Sequence, residues 1–408
     1  METGKPMVNR WIAATGGFFT QVILFIGSTI IPLLLVNIRE ELGISRAGVG
    51  LIISVYGVFY VVGAPVWGAV ADRIRLRKAL TFASLIVSLG VFAIGAANSL
   101  VTYLVVYGIV GFGSAALVVL IPKLLGMWFD IQTKGKASSY ITSAGPLSTF
   151  ILGITVPLLA ISHTWRAPFY AFGSFGIILS ILIYAIVRDN NQTKESTLSL
   201  GSESKPVETV KAGSNRTAKT KDVLKMRSLW HLAAVNLFFL MSNLCVSTFL
   251  VAYLAERGLQ ITEADVGLSV LSAASLAGFY LWGALSDYTQ RKYILAICSF
   301  LLIAFTFIFL TFQMDLASTF LLVGLMGATT GLAPVFFAII SDYFNFEAVG
   351  TATGVIFAIL GIGLIVTPLL AGHLANETGS FASVFQLSIV LAGVSSILAI
   401  LLKRPPRE

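Results

Sequence analysis

A run of about 20 mainly apolar residues is long enough to cross a bilayer as a helix, and this chain contains twelve such runs. They fall at 11–36, 49–70, 79–97, 101–127, 137–160 and 166–187, and after a polar interval at 229–254, 266–285, 293–312, 317–340, 350–372 and 381–402. The pattern argues against a soluble fold. Of 408 residues, 57% are hydrophobic and 11% charged, against roughly 25% charged in an ordinary globular domain. Strands are a poor alternative, because the runs do not alternate and are about twice the length of a barrel strand. The 37 glycines and the mid-run Pro65, Pro146, Pro334 and Pro368 suit spanning helices, where small residues permit close packing and neighbours re-satisfy the backbone. The first run is long enough to span and reads as a retained helix rather than a cleaved leader.

Basic residues orient the spans, since Lys and Arg are retained on the cytoplasmic side. With both termini cytoplasmic, 22 of the 27 Lys and Arg lie on that side. The opposite loops hold Arg39, Arg46, Arg166 and Arg257, and Lys123 lies within the fourth span. This distribution explains the net charge of +8 without nucleic acid as a partner, and it predicts a multi-pass protein of the plasma membrane. Residues 188–228, rich in Ser, Thr, Lys, Asn and Gly, read as a flexible cytoplasmic linker. The linker separates bundles at 1–187 and 229–408.

The two bundles repeat one another. Ile44-Ser45-Arg46-Ala47-Gly48-Val49-Gly50-Leu51 matches Ile261-Thr262-Glu263-Ala264-Asp265-Val266-Gly267-Leu268 at a spacing of 217, and Trp67-Gly68-Ala69-Val70-Ala71-Asp72 matches Trp282-Gly283-Ala284-Leu285-Ser286-Asp287 at 215. Ser45 and Thr262 are placed to cap the second and eighth spans. The fold class is therefore an all-α membrane protein, twelve transmembrane helices in two pseudo-symmetric six-helix bundles, which can rock about a site near the midplane.

The stretch Gly68-Ala69-Val70-Ala71-Asp72-Arg73-Ile74-Arg75-Leu76-Arg77-Lys78 resembles the signature between the second and third helices of the major facilitator superfamily. Gly283 to Lys292, with Asp287 and Arg291, resembles its second copy. The resemblance implies the twelve-helix fold of that family, alternating access, and a cytoplasmic conformational gate built from Gly68, Asp72, Arg73, Arg77, Gly283, Asp287 and Arg291. In it, Asp72 would face the start of the eleventh helix around Gly350 to Thr353, and Asp287 the start of the fifth around Lys136 to Ser139. A carboxylate beside a helix N-terminus is favourably placed. Trp165-Arg166-Ala167-Pro168-Phe169-Tyr170 and Gly350-Thr351-Ala352-Thr353-Gly354 resemble organic-anion and monocarboxylate-type members, and Gly145-Pro146 part of an antiporter signature. Two departures stand out. Tyr107 occupies a place where proton-coupled drug exporters carry arginine. The eighth and eleventh spans lack the basic residue of oxalate and monocarboxylate carriers, which counts against a dicarboxylate substrate.

All 19 acidic residues fall in loops or at helix ends, so the sequence predicts no buried carboxylate to relay protons. Lys123 is the basic residue within a span and a candidate for drawing anions, or for snorkelling to the interface. The remaining candidates for the substrate pathway are mid-span polar residues: Gln21, Ser28, Tyr56, Tyr60, Ser114, Asn243, Tyr280, Thr329 and Thr330. By the family resemblance, spans 1, 4, 7 and 10 line the cavity. Interhelical hydrogen bonding is the competing use of such residues. The leading reading is a monomeric secondary transporter, symporter or antiporter, of small organic anions such as monocarboxylates, with a co-transported proton or ion. An exporter of amphipathic drugs is the alternative, supported by the aromatic, uncharged spans, and a non-transporting membrane sensor is a third reading. No nucleophile–base pair, metal cluster or nucleotide loop supports an enzyme, and no cofactor is implied.

Overall fold

The computed structural model describes residues 7–129, 131–187, 223–344 and 346–402. The expected linker lies almost wholly outside the described residues. Among them there is no strand, and twelve helices are long and apolar enough to span a membrane.

The first half comprises α1 (Met7–Leu33), α2 (Leu35–Leu42), α3 (Arg46–Arg73), α4 (Leu76–Ile94), α5 (Leu100–Val119), α6 (Ile121–Trp128), α7 (Ile131–Ser162) and α8 (Ala167–Ile186). The second comprises α9 (Arg227–Glu256), α10 (Ile261–Tyr288), α11 (Arg291–Thr311), α12 (Leu316–Thr330), α13 (Ala333–Tyr343), α14 (Phe346–Thr378) and α15 (Ala382–Leu401). An even number of spans places the start of α1 and the end of α15 on one face, here the terminal face.

Two expected spans are each broken into two helices. The fourth breaks at Leu120 between α5 and α6, and the tenth at Gly331 and Leu332 between α12 and α13. Each break is followed by a proline, Pro122 or Pro334, at the start of the new helix. Proline lacks the N–H that would close the preceding turn, and its fixed φ suits a helix start. Hydropathy does not change across either break, so a window of apolar residues reads straight through it.

The start of α10 also differs from expectation. Ser45 caps α3, its hydroxyl accepting from the Gly48 N–H at 3.2 Å. Thr262 does not cap α10. That helix begins two residues earlier with Gln260 as N-cap, in a reciprocal capping box where the Gln260 N–H donates to Glu263 Oε2 at 3.1 Å. The box satisfies two free amides at once, so the helix starts ahead of the threonine.

The repeat seen in sequence is also a repeat of packing. The Trp67 indole donates to the Phe112 carbonyl at 2.9 Å, and the Trp282 indole to the Ala328 carbonyl at 2.8 Å. Gly111 on α5 lies against the Tyr56 carbonyl of α3, and Gly327 on α12 against the Leu271 carbonyl of α10, so tightly that a side chain at either glycine would collide with backbone. Small residues allow this approach in each half, where helices in lipid associate by packing rather than by a hydrophobic drive.

Within each half the first and fourth spans are the most deeply buried. Large apolar side chains such as Phe82 on α4, Ile178 on α8, Phe300 on α11 and Ile397 on α15 are exposed, as a lipid-facing surface requires.

Candidate functional site

The site is built around the broken fourth span. On α1, buried Gln21 donates from Nε2 to the Leu117 carbonyl at 3.0 Å, one turn before the break at Leu120. About two turns further along α1, the Ser28 carbonyl accepts from the Tyr107 hydroxyl at 3.4 Å. The Tyr107 ring lies 5.0 Å from the ring of Tyr56 on α3, which stacks with Tyr60 at 6.2 Å. Ser114 is wholly buried on α5 beneath this cluster, and its hydroxyl oxygen is 3.7 Å from where a side chain on Gly27 would begin. Gln21, Ser28, Tyr56, Tyr60 and Ser114 thus come together. The residue that joins them is Tyr107, noted in the sequence only for replacing an arginine. Lys123 stands half-buried on α6, one turn past the break.

The second half places its candidates more loosely. Thr329 and Thr330 close the end of α12, their hydroxyls donating to the Met326 and Gly327 carbonyls at 2.6 and 2.7 Å. Such back-bonding occupies carbonyls at a helix end. Asn243 is half-buried on α9, where its carbonyl accepts from Ser247. Tyr280 is 70% exposed. It shares a face of α10 with Asp265, Ser269 and Leu276 by helical spacing, and that face meets α7 further along, where Gly153 packs on Asp265 and Ser269. Among the described residues no hydrogen bond links these four to the first-half cluster.

The two halves touch at the face opposite the termini. There Arg46, at the start of α3, pairs with Glu256 at the end of α9, with Nε to Oε1 at 3.0 Å. The Arg46 guanidinium also lies 5.4 Å from the centre of the Phe381 ring. Glu256 accepts in addition from the Phe381 N–H at 2.7 Å and the Ser380 hydroxyl at 3.1 Å, so one carboxylate ties α9, the start of α15 and the first half. Deeper in, Ser54 donates to the Ile365 carbonyl at 3.0 Å, and Gly50 packs against the Pro368 carbonyl of α14.

Towards the terminal face the same helices part. A side-chain carbon at Gly361 would lie 2.6 Å from Val61, but one at Gly68 or Gly354 would meet no described atom within 4 Å. Among the described residues, α3 and α14 therefore touch towards the face opposite the termini and stand apart at Gly68 and Gly354. Of the expected gate, Gly283 lies near Pro334, 3.8 Å from a built side-chain carbon. Arg77 lies with its guanidinium 3.7 Å over the Tyr184 ring of its own half, and Arg291 pairs with Asp342 of its own half. The side chains of Asp72, Arg73, Asp287 and Thr351 lie outside those described.

One expectation is overturned. Asp265 is at a helix end, as the sequence indicated, but its side chain is only 1% exposed. Its backbone carbonyl packs on Gly153 of the other half, a contact that hydropathy cannot report. Among the described residues no group of His, Cys, Asp and Glu could hold a metal ion.

This twelve-helix architecture, with spans broken at matching places in two packed halves, defines a membrane transporter fold. The family model described as Major Facilitator Superfamily matches residues 17–331 and 258–408, and the chain belongs to that superfamily. It is 25% identical to a hexuronate transporter of Bacillus subtilis (strain 168) over 95% of this chain and 93% of the relative. It is 24% identical to a probable sulfoacetate transporter of Cupriavidus necator over 89% and 86%, and 22% identical to a sialic acid transporter of Escherichia coli (strain K12) over 97% and 93%. In fold it is similar to a bacterial homologue of the human lysosomal transporter Spinster, solved in an inward-facing and unoccupied conformation. That comparison gives a TM-score of 0.78 at 14% identity, covering 98% of this chain and 97% of the other.

Proposed function

We propose that the protein is a secondary transporter of small organic anions, in particular hydroxylated acids of the sugar-acid type. The observation that carries this is the break of the fourth span, with Gln21 anchored on one side and Lys123 one turn beyond on the other. Interrupted helices at corresponding places in two halves are where transporters of this architecture bind their cargo. Lys123 supplies the cation that a carboxylate needs, and Gln21, Tyr56, Tyr107 and Asn243 carry donors and acceptors that suit hydroxyl groups. Relatives whose names specify hexuronate, sulfoacetate and sialic acid support an acidic cargo more than a cationic drug. Monocarboxylates remain within the reading, because one carboxylate requires one basic partner.

In this reading the termini are cytoplasmic, as the basic loops require, the protein acts as a monomer in the plasma membrane, and the structure is the inward-open state of an alternating-access cycle. Asp72, with Arg73 and Asp287, latches the terminal face in the other state. Asp72→Asn then lowers transport and enriches the form open at the terminal face.

Uptake into proteoliposomes decides the substrate class. Labelled hexuronate, glucarate, sulfoacetate, lactate and a cationic dye are compared, with and without a pH gradient. Movement of at least one acid is expected, and Lys123→Gln should raise its KM about tenfold or more, the loss of one charge-assisted contact. Dye movement without acid movement overturns the assignment.

A further inference from the structure

The closed face hides a group that the transport reading does not use. Asp265 is the fifth residue of α10 and is 1% exposed, and neither of its carboxylate oxygens has a hydrogen-bond partner among the described residues. It lies where α10 meets α7: a side-chain carbon on Gly153 would lie 2.9 Å from the Asp265 carbonyl and would collide with Ser269. Asp265 therefore sits in the seam between the two halves.

Among the described residues, nothing around it compensates a negative charge. From α7 the segment between Lys136 and His163 offers no charged group, and its one phenol, Tyr140, lies more than three turns from Gly153. From α9 come Tyr253, Glu256 and Arg257. Glu256 is engaged by Arg46, and Arg257 donates to the Phe309 and Phe312 carbonyls. α12 brings only Asp315, at its N-cap. On α10 itself the first-turn amides are served by the Gln260–Glu263 box, which leaves little helix-end potential for a second carboxylate. α11 and α13 reach α10 near its other end, where Arg291 and Asp342 pair with one another. The architecture does not need an acid here, since the first half carries Gly48 at the matching position.

We propose that Asp265 is a proton-binding site of the seam. It holds a proton while the face opposite the termini is closed, and releases it to water when the halves part there. An ionised carboxylate without partners is strongly disfavoured in an apolar seam and well solvated once water enters. Closing then binds one proton and opening releases it: acid favours the closed face and base the open one. The closed-to-open ratio falls by up to about tenfold per pH unit once the open-state carboxyl is ionised. The inference does not depend on which solute is carried.

The test uses the full chain in proteoliposomes, with spin labels on cysteines replacing the exposed Glu40 and Glu377, one in each half at the closed face. Both native cysteines are buried and are replaced by alanine. Distances are measured by pulsed electron resonance from pH 5 to 9. With Asp265 present, the short-distance population should fall as pH rises. With Asp265→Asn, which is neutral throughout, it should stay high and flat, and Asp265→Ser serves as a second neutral variant if the asparagine form does not fold. A flat titration with Asp265 present, or the same titration with and without it, overturns the proposal. So does a shift that follows sodium at fixed pH and ignores pH, which would mark a metal-cation site instead.

Discussion

Along α3 and α14 the two faces of the molecule are held in different ways. At the face opposite the termini, Gly50 lets α3 lie against the Pro368 carbonyl, Ser54 bonds the Ile365 carbonyl, and Arg46 closes the end on Glu256. At the terminal face, Gly68 and Gly354 have open space around them. There Arg77 and Arg291 bond within their own halves. Among the described residues, closure at one face is thus backbone contact finished by one ion pair between the halves, whereas at the other Arg77 and Arg291 each meet a partner within their own half. A fold with two such faces can exchange which one is shut without remaking either half.

The largest effect should come from the backbone contact itself. Gly50→Val puts a side chain into the Pro368 carbonyl, and packed backbone gives way poorly. Transport should fall a hundredfold or more, with helical circular dichroism unchanged; near-native uptake would break the claim that this contact forms in the cycle. A smaller effect is expected from Arg46→Gln. The pair is partly exposed, with side chains 20% and 21% accessible, so its loss is worth about 1 kcal/mol at most. That moves the closed population by roughly fivefold. The reading is the labelling rate of a cysteine at buried Ser54, compared with and without Arg46→Gln, which should rise by that factor; an unchanged rate would show that the pair adds nothing to closure. The smallest effect tests the equivalence of the halves. Trp67→Phe and Trp282→Phe each remove one indole hydrogen bond, worth about 1 kcal/mol. Each should lower the melting temperature by a few degrees, to within a factor of two of the other. A large shift for one and none for the other would show that the two crossings do different work.

How much of this was legible in the sequence depends on where each feature gets its cause. The spans and the repeated Trp67 and Trp282 motifs depend on residues local to one helix and recurring in the other half, so periodicity and spacing revealed them, whereas the indole bonds to the Phe112 and Ala328 carbonyls needed the neighbouring helix in place. The breaks at Leu120 and Gly331 depend on backbone bonds, and the flanking Pro122 and Pro334 were the only visible signals. Thr262 misled because Gln260 is a less familiar cap, although Glu263 three residues on completes the box. Within the site, Gln21 and Tyr56 were found as polar residues in apolar runs, whereas Tyr107 could be placed only once α5 was seen against α1 and α3. Asp265 and the Arg46–Glu256 pair owe their environment to contact between halves more than 100 residues apart.

The central claim is that the seam closed here must open for transport. Replacing Arg46 and Phe381 by cysteines, with Cys245 and Cys298 removed, allows a reversible bifunctional thiol reagent to tie the halves together at that face. The tied protein should fail to accumulate substrate in proteoliposomes and recover on reduction. Native uptake through the tied protein would contradict the account.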